Sequence, residues 1–137
     1  MCYHCALIDT LSFIFIYIIL FTVCFHLGLI VVGKNSITYF SGTGIVQAVA
    51  IDSTFFTSWC MIDSDGSRFL LGDQNGGLYV LVLLKNSDSV VVNIAIDLLG
   101  TTNISQCLCY LDEGLAFVGC VYGDSQLIKL KTEADNN

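Results

Sequence analysis

Residues 69–84 read Phe69-Leu70-Leu71-Gly72-Asp73-Gln74-Asn75-Gly76-Gly77-Leu78-Tyr79-Val80-Leu81-Val82-Leu83-Leu84, a short apolar run, a polar glycine-rich break and a second apolar run. Neither run has the three-to-four-residue spacing of an amphipathic helix, and the first is too short for one. Asn75-Gly76 between them supplies the positive backbone angle that a tight turn needs, so the stretch predicts two antiparallel strands. Two other places repeat the pattern: Leu29-Ile30-Val31-Val32-Gly33 and Ala116-Phe117-Val118-Gly119 each close an apolar run on glycine before a polar break and another apolar run. Gly33 and Gly72 are 39 residues apart, and Gly72 and Gly119 are 47 apart. A period of that length suits a four-stranded propeller blade, whereas a helical solenoid of similar period would need amphipathic stretches absent after residue 33.

The same reading extends along the chain. It predicts strands near Leu29–Val32, Ile37–Phe40, Val46–Ile51, Phe55–Ile62, Phe69–Leu71, Leu78–Leu84, Val90–Leu98, Cys107–Leu111, Leu115–Val118 and Gln126–Lys131, with further tight turns at Asp65-Gly66 and Glu113-Gly114. The fold class expected is all-β, a partial β-propeller of about two to three WD-repeat-like blades behind an apolar N-terminal segment for which a helix is one option. The domain limits expected are an atypical leader over 1–26, the propeller part over 27–132 and a polar tail over 133–137. So few blades cannot close a ring. The chain is therefore expected to need the remainder of its propeller as a partner, and alone to expose apolar faces and strand edges that invite aggregation.

Charge divides the chain in the same way. Residues 1–33 hold no Lys or Arg and one acid, Asp9, whereas residues 34–137 hold 5 basic and 11 acidic residues. An acidic propeller part repels a phosphate backbone, so no direct nucleic-acid contact is expected. Leu11–Val32 carries no formal charge over 22 residues, and a helix of that length would reach about 33 Å, enough to span a bilayer. A membrane partner is expected only through residues 11–32. Against it stand the lack of positive charge ahead of the run, the lone Lys34 behind it and His26 within it. The Ile, Phe, Tyr and Val content suits buried strands equally, or untranslated sequence read through as protein.

Seven cysteines, an odd number lying mostly in apolar runs, predict reduced, buried thiols rather than a disulfide framework. Both histidines, His4 and His26, fall in the leader, which leaves the β part without an imidazole to activate a serine or cysteine. Cys2-Tyr3-His4-Cys5 has half the spacing of a zinc knuckle but lacks a second pair. Asp63-Ser64-Asp65-Gly66 departs from a calcium loop, with Arg68 and Gln74 where glycine and glutamate belong, and reads as a turn. No metal, no cofactor and no catalysis are expected. Trp59 and Tyr79 are expected in the core.

Gly28–Tyr39, Asp63–Asp73, Leu98–Gly100, Tyr110–Asp112, Phe117–Gly119 and Gly123–Leu130, in that order and spacing, resemble the DNA damage-binding protein 1 family over about residues 27–132. Scaffold subunits of the polyadenylation and splicing machinery share the domain, but Gly66–Asp73 and Gly123–Leu130 are more similar to the damage-binding branch. The resemblance implies the first of three propellers in a non-enzymatic adaptor, one that links a cullin-RING ubiquitin ligase to substrate-receptor proteins in the nucleus and cytoplasm. It implies receptor docking by this propeller and cullin binding by another. Carried over position by position, the partner-binding residues are Tyr110, Asp112, Glu113, Val121 and Tyr122. Glu113 stands where the family commonly has Asn, and Val121-Tyr122 where it commonly has an Arg-Leu pair. The other readings are a small membrane-anchored β protein and a fragment of a polyadenylation or splicing scaffold.

Overall fold

The computed structural model describes the backbone of residues 17–23 and 26–131 and the side chains from Gly28 to Lys131. Eleven strands run through these residues: β1 (Tyr17–Val23), β2 (His26–Val32), β3 (Ser36–Ser41), β4 (Val46–Ala50), β5 (Phe56–Met61), β6 (Arg68–Asp73), β7 (Gly77–Lys85), β8 (Val91–Thr101), β9 (Ser105–Asp112), β10 (Leu115–Cys120) and β11 (Gln126–Lys129). They form three antiparallel meanders in chain order, β1-β2-β3-β4, β5-β6-β7-β8 and β9-β10-β11, which are three blades of a propeller. All ten strands expected from the sequence are present. Within Leu11–Val32 the described residues depart from the helical option: Tyr17–Val23 and His26–Val32 are strands paired from Tyr17↔Val32 to Val23↔His26, and the rest of the run lies outside the described residues. Bulky β-branched and aromatic residues fit a pleated sheet better than a helical turn, where they lose side-chain freedom. Among the described residues no helix is long and apolar enough to cross a membrane.

Burial on both faces explains the unbroken apolar run of β6. Phe69 and Leu71 join Ile30, Val32, Ile37 and Tyr39 of the first blade in one core cluster, while Leu70, between them, joins Leu108, Ala116 and Val118 of the third blade in another. Side chains alternate across a strand, so a blade between two neighbours must be apolar at every position. The glycine repeat is equivalent at strand level, since β2, β6 and β10 are the second strands of successive blades. Its register is offset in the first blade. Val32 pairs with Ile37 as Gly72 pairs with Leu78, so Val32 is the counterpart of Gly72, and Gly33 falls one residue later.

The expected turns are present. Glu113 and Gly114 both have positive φ, 49° and 79°, and form the two-residue connection between Asp112 and Leu115. Trp59 and Tyr79 pack on the first core cluster as expected, Trp59 near Phe69 and Tyr79 edge-on to Phe56. Cysteine burial is corrected in part. Cys60, Cys107, Cys109 and Cys120 form no disulfide among the described residues, but Cys60 and Cys120 are only half-buried, and Cys107 and Cys109 are exposed on the face of the third blade turned away from the second. Cys2, Cys5 and Cys24, and with them the half zinc knuckle, lie outside the described residues.

Candidate interaction surface

The blades present their turns at two ends, and the five residues carried over by resemblance divide between them. Tyr110, Asp112 and Glu113 lie together at the β9–β10 turn. The Tyr110 hydroxyl accepts a hydrogen bond from the Gly114 amide at 2.9 Å, and Asp112 Oδ1 accepts one from the Glu113 amide at 2.8 Å. Val121 and Tyr122 lie at the β10–β11 turn, and the six residues of β10 separate the two groups by about 20 Å. One flat partner patch at either end therefore meets only part of the set. Tyr110 is half-buried against the second core cluster, whereas Val121 and Tyr122 are 65% and 78% exposed.

Charge collects at the Tyr110 end. Arg68 grips Asp63 through two bonds, Nε to Oδ2 at 2.6 Å and Nη2 to Oδ1 at 2.8 Å. Lys85 Nζ donates to the Asp65 carbonyl at 2.9 Å and to its Oδ2 at 3.3 Å. A hydrogen bond from the Ser67 hydroxyl, aided by Lys85, holds the Asp65 carboxyl below its ordinary range. The bonds that Arg68 donates to Asp63 raise the pKa of its guanidinium, a rise to which the charge of Tyr110 contributes more weakly. Asp63 and Asp65 are thus paired within and beside the turn. At the opposite end the β10–β11 turn exposes Val121 and Tyr122 next to Asp124 and Ser125. There Asn103 links the second blade to the third, donating from Nδ2 to the Asp124 carbonyl at 2.8 Å and from its amide to Gln126 Oε1 at 2.9 Å.

Two polar features that sequence reasoning missed hold these ends in place. Asp73 is buried, yet Oδ1 accepts from the amides of Asn75 and Gly77 at 2.9 and 2.7 Å, and Oδ2 accepts from Thr54 Oγ1 at 2.9 Å and from the Tyr79 hydroxyl at 3.3 Å. This network fixes the β6–β7 turn to the incoming linker. Between the second and third blades, Ser58 Oγ and Ser105 Oγ share a hydrogen bond at 2.5 Å, and Thr57 Oγ1 donates to the Ser105 carbonyl at 2.6 Å. Gly72 makes room for this contact, since a β-carbon there would fall on Ser105 Oγ. The signal available in the sequence was Thr57-Ser58, a polar pair set between Phe56 and Trp59.

The sequence that folds into these blades has counterparts among known proteins. The family described as RSE1/DDB1/CPSF1 first beta-propeller matches residues 9–137. The chain belongs to that family. It is 39% identical over 110 residues to DNA damage-binding protein 1 of Oryza sativa subsp. japonica, covering 80% of this chain and 10% of that protein. It is also 39% identical, over 108 residues, to DNA damage-binding protein 1 of Solanum lycopersicum and DNA damage-binding protein 1b of Arabidopsis thaliana, covering 79% of this chain and 10% of each. The chain thus spans about a tenth of the length of these curated relatives. As a first-propeller member, it carries the polar seam and the two turn ends within the matched region.

Proposed function

We propose that this chain is a non-catalytic docking segment of an adaptor scaffold, serving substrate-receptor proteins of a cullin-RING ubiquitin ligase in the nucleus and cytoplasm, in work linked to the DNA damage response. The observation that carries the reading is the 39% identity, across four-fifths of the chain, to proteins named DNA damage-binding protein 1. The geometry supports it. Strand cores are spent on blade packing, which leaves turn residues free for recognition, and an exposed Tyr beside an exposed Val is the kind of aromatic anchor that dominates protein interfaces. Tyr122 and Val121 form the proposed apolar contact, and Tyr110, Asp112 and Glu113 a separate polar one. Replacement of a commonly found arginine by this apolar pair implies a receptor contact that relies on burial more than on charge. Further propeller blades are the other proposed partner, packing on the third blade.

For the domain limits we propose a propeller part ending at 132 before a polar tail over 133–137. The pairing of Tyr17–Val23 with β2 and a family match beginning at residue 9 support starting it within the leader rather than at 27. The test is affinity capture with the full chain from cells of its own source. Recovery of cullin-RING subunits with their receptors, reduced by Tyr122→Ala, supports the reading. Recovery of polyadenylation or splicing factors in their place moves the chain to that branch, and capture of neither set overturns the docking role.

A further inference from the structure

The β10–β11 turn is held unlike the other described turns. Those are closed by the backbone: the Gly33 amide donates to the Ser36 carbonyl at 2.9 Å, Ser41 to Ile45 at 2.8 Å and Ile62 to Arg68 at 2.9 Å. Gly76 donates likewise to Asp73 at 3.2 Å and Asn86 to Val90 at 2.9 Å, while Asp112 and Leu115 are ladder partners. The β10–β11 ladder stops at Val118↔Gln126, and among the described residues no backbone hydrogen bond spans Val121 to Ser125. Side chains take its place. Ser125 Oγ accepts from the Cys120 amide at 3.2 Å. From the linker between the second and third blades, Asn103 Nδ2 donates to the Asp124 carbonyl at 2.8 Å, and the Asn103 amide donates to Gln126 Oε1 at 2.9 Å. Asn103 also lies against Gly123, where a β-carbon would meet its Nδ2 at 3.2 Å and its Cγ at 3.4 Å. Gly123 has a φ of 94°, a left-handed value that favours glycine, so the turn is shaped to receive that side chain.

Asn103 is itself fixed to the second blade. The Thr102 amide donates to the Gly76 carbonyl at 2.7 Å, and Thr102 Oγ1 donates to the Asn103 carbonyl at 2.9 Å. Gly76 belongs to the turn that buried Asp73 organises through the Asn75 and Gly77 amides. A continuous run of contacts thus leads from Asp73 to the exposed Val121 and Tyr122. We infer that Asn103 is a positioning residue: it latches the Val121–Ser125 turn to the second blade and so sets the direction in which Val121 and Tyr122 meet a receptor. A turn without backbone closure samples several conformers, and only the competent fraction binds, so a latch raises affinity without touching the partner. The latch stands on the contacts alone, whereas its use in docking rests on the proposed receptor contact.

Limited chymotrypsin digestion of the full chain reads the latch without a partner, because the protease cuts after exposed aromatic residues. Asn103→Asp sets an acceptor against the Asp124 carbonyl and should speed cleavage after Tyr122 about tenfold, with cleavage after the fully buried Phe69 unchanged. Asn103→Ala, which only removes the donor, should give a smaller rise. Gln126→Leu should loosen the turn, whereas Gln126→Glu keeps an oxygen for the Asn103 amide and should leave it as it was. In affinity capture with the full chain, Asn103→Asp should lower recovery of cullin-RING receptors about tenfold. Unchanged cleavage after Tyr122 in both Asn103 variants overturns the latch. So does an equal rise after Phe69, which would make Asn103 a general support of the blades. A loosened turn with undiminished receptor recovery overturns the positioning role. If the unaltered chain recovers no receptor while the cleavage pattern is as expected, the docking reading fails and the latch holds.

Discussion

The second blade meets its two neighbours through seams of different chemistry. Toward the first blade it presents Phe56, Phe69, Leu71, Leu81 and Leu83, large side chains that fill volume against Ile30, Val32, Ile37 and Tyr39. Toward the third blade the buried hydrophobic set is smaller, Leu70 and Leu78 against Leu108, Ala116 and Val118, and is joined by the Thr57, Ser58 and Ser105 hydrogen bonds around Gly72. Apolar filling is tolerant of small shifts. Short hydrogen bonds across a glycine are not, because their geometry fails within a few tenths of an ångström. The first seam therefore supplies most of the adhesion, while the second fixes the position of the third blade, on which all five proposed partner residues lie.

Cutting into each seam separates these roles. Phe69 is fully buried, so Phe69→Ala should destabilise the chain by about 3–5 kcal/mol in urea unfolding, the largest single effect, with amide exchange rising first in the first two blades. A loss confined to the third blade would reverse the assignment of adhesion. Gly72→Val forces two methyl groups into the space of Ser105 Oγ and should cost about 1–3 kcal/mol, with exchange rising first in β9 and β10. Equal protection of those strands in the variant would show that the seam yields without strain.

Ser105→Ala is a finer cut. It leaves Ser58 Oγ buried without its partner, and an orphaned buried hydroxyl costs about 1–3 kcal/mol. Ser58→Ala with Ser105→Ala removes both hydroxyls, so the double variant should lose less than the two single losses added. A strictly additive result in that double-mutant cycle would mean the two hydroxyls do not act on each other.

These contrasts also show what the sequence makes legible. Strand positions are readable because a blade buried on both faces is apolar throughout, as in Phe69-Leu70-Leu71, and is cut by turns with a fixed chemistry, as at Asn75-Gly76. β1 is not readable in that way, since an apolar run without a turn signal is equally compatible with a helix. Gly72 reads as part of a turn, but its role is close approach to Ser105, 33 positions further on, and no local pattern encodes that distance. Asp73 is hidden for the same reason, because Thr54 reaches it from across a strand. Of the candidate site, the residues could be named by resemblance, but their division between two ends emerges only once β10 is seen to run between them.

Alkaline titration gives the gentlest test, and it strains the apolar seam alone. Burial raises the phenol of Tyr39 above its ordinary 10.0, and burial together with the Asp73 carboxylate does the same for Tyr79; both belong to the seam between the first and second blades. A pKa higher in the folded than in the unfolded chain means that the stabilisation is complete below pH 10 and is lost as pH rises through the folded value. Stability should accordingly be level from neutral pH to about pH 9, where both phenols remain protonated. It should fall beyond pH 10, with the first and second blades losing amide protection ahead of the third. Tyr39→Phe keeps the ring and removes the ionisation, so it should flatten part of that fall while leaving stability at pH 7 nearly unchanged. If Tyr39→Phe left the alkaline slope untouched, the load on the apolar seam would have to come from Tyr79, whose hydroxyl donates to Asp73, and the alkaline weakness would belong to the β6–β7 turn instead of the seam.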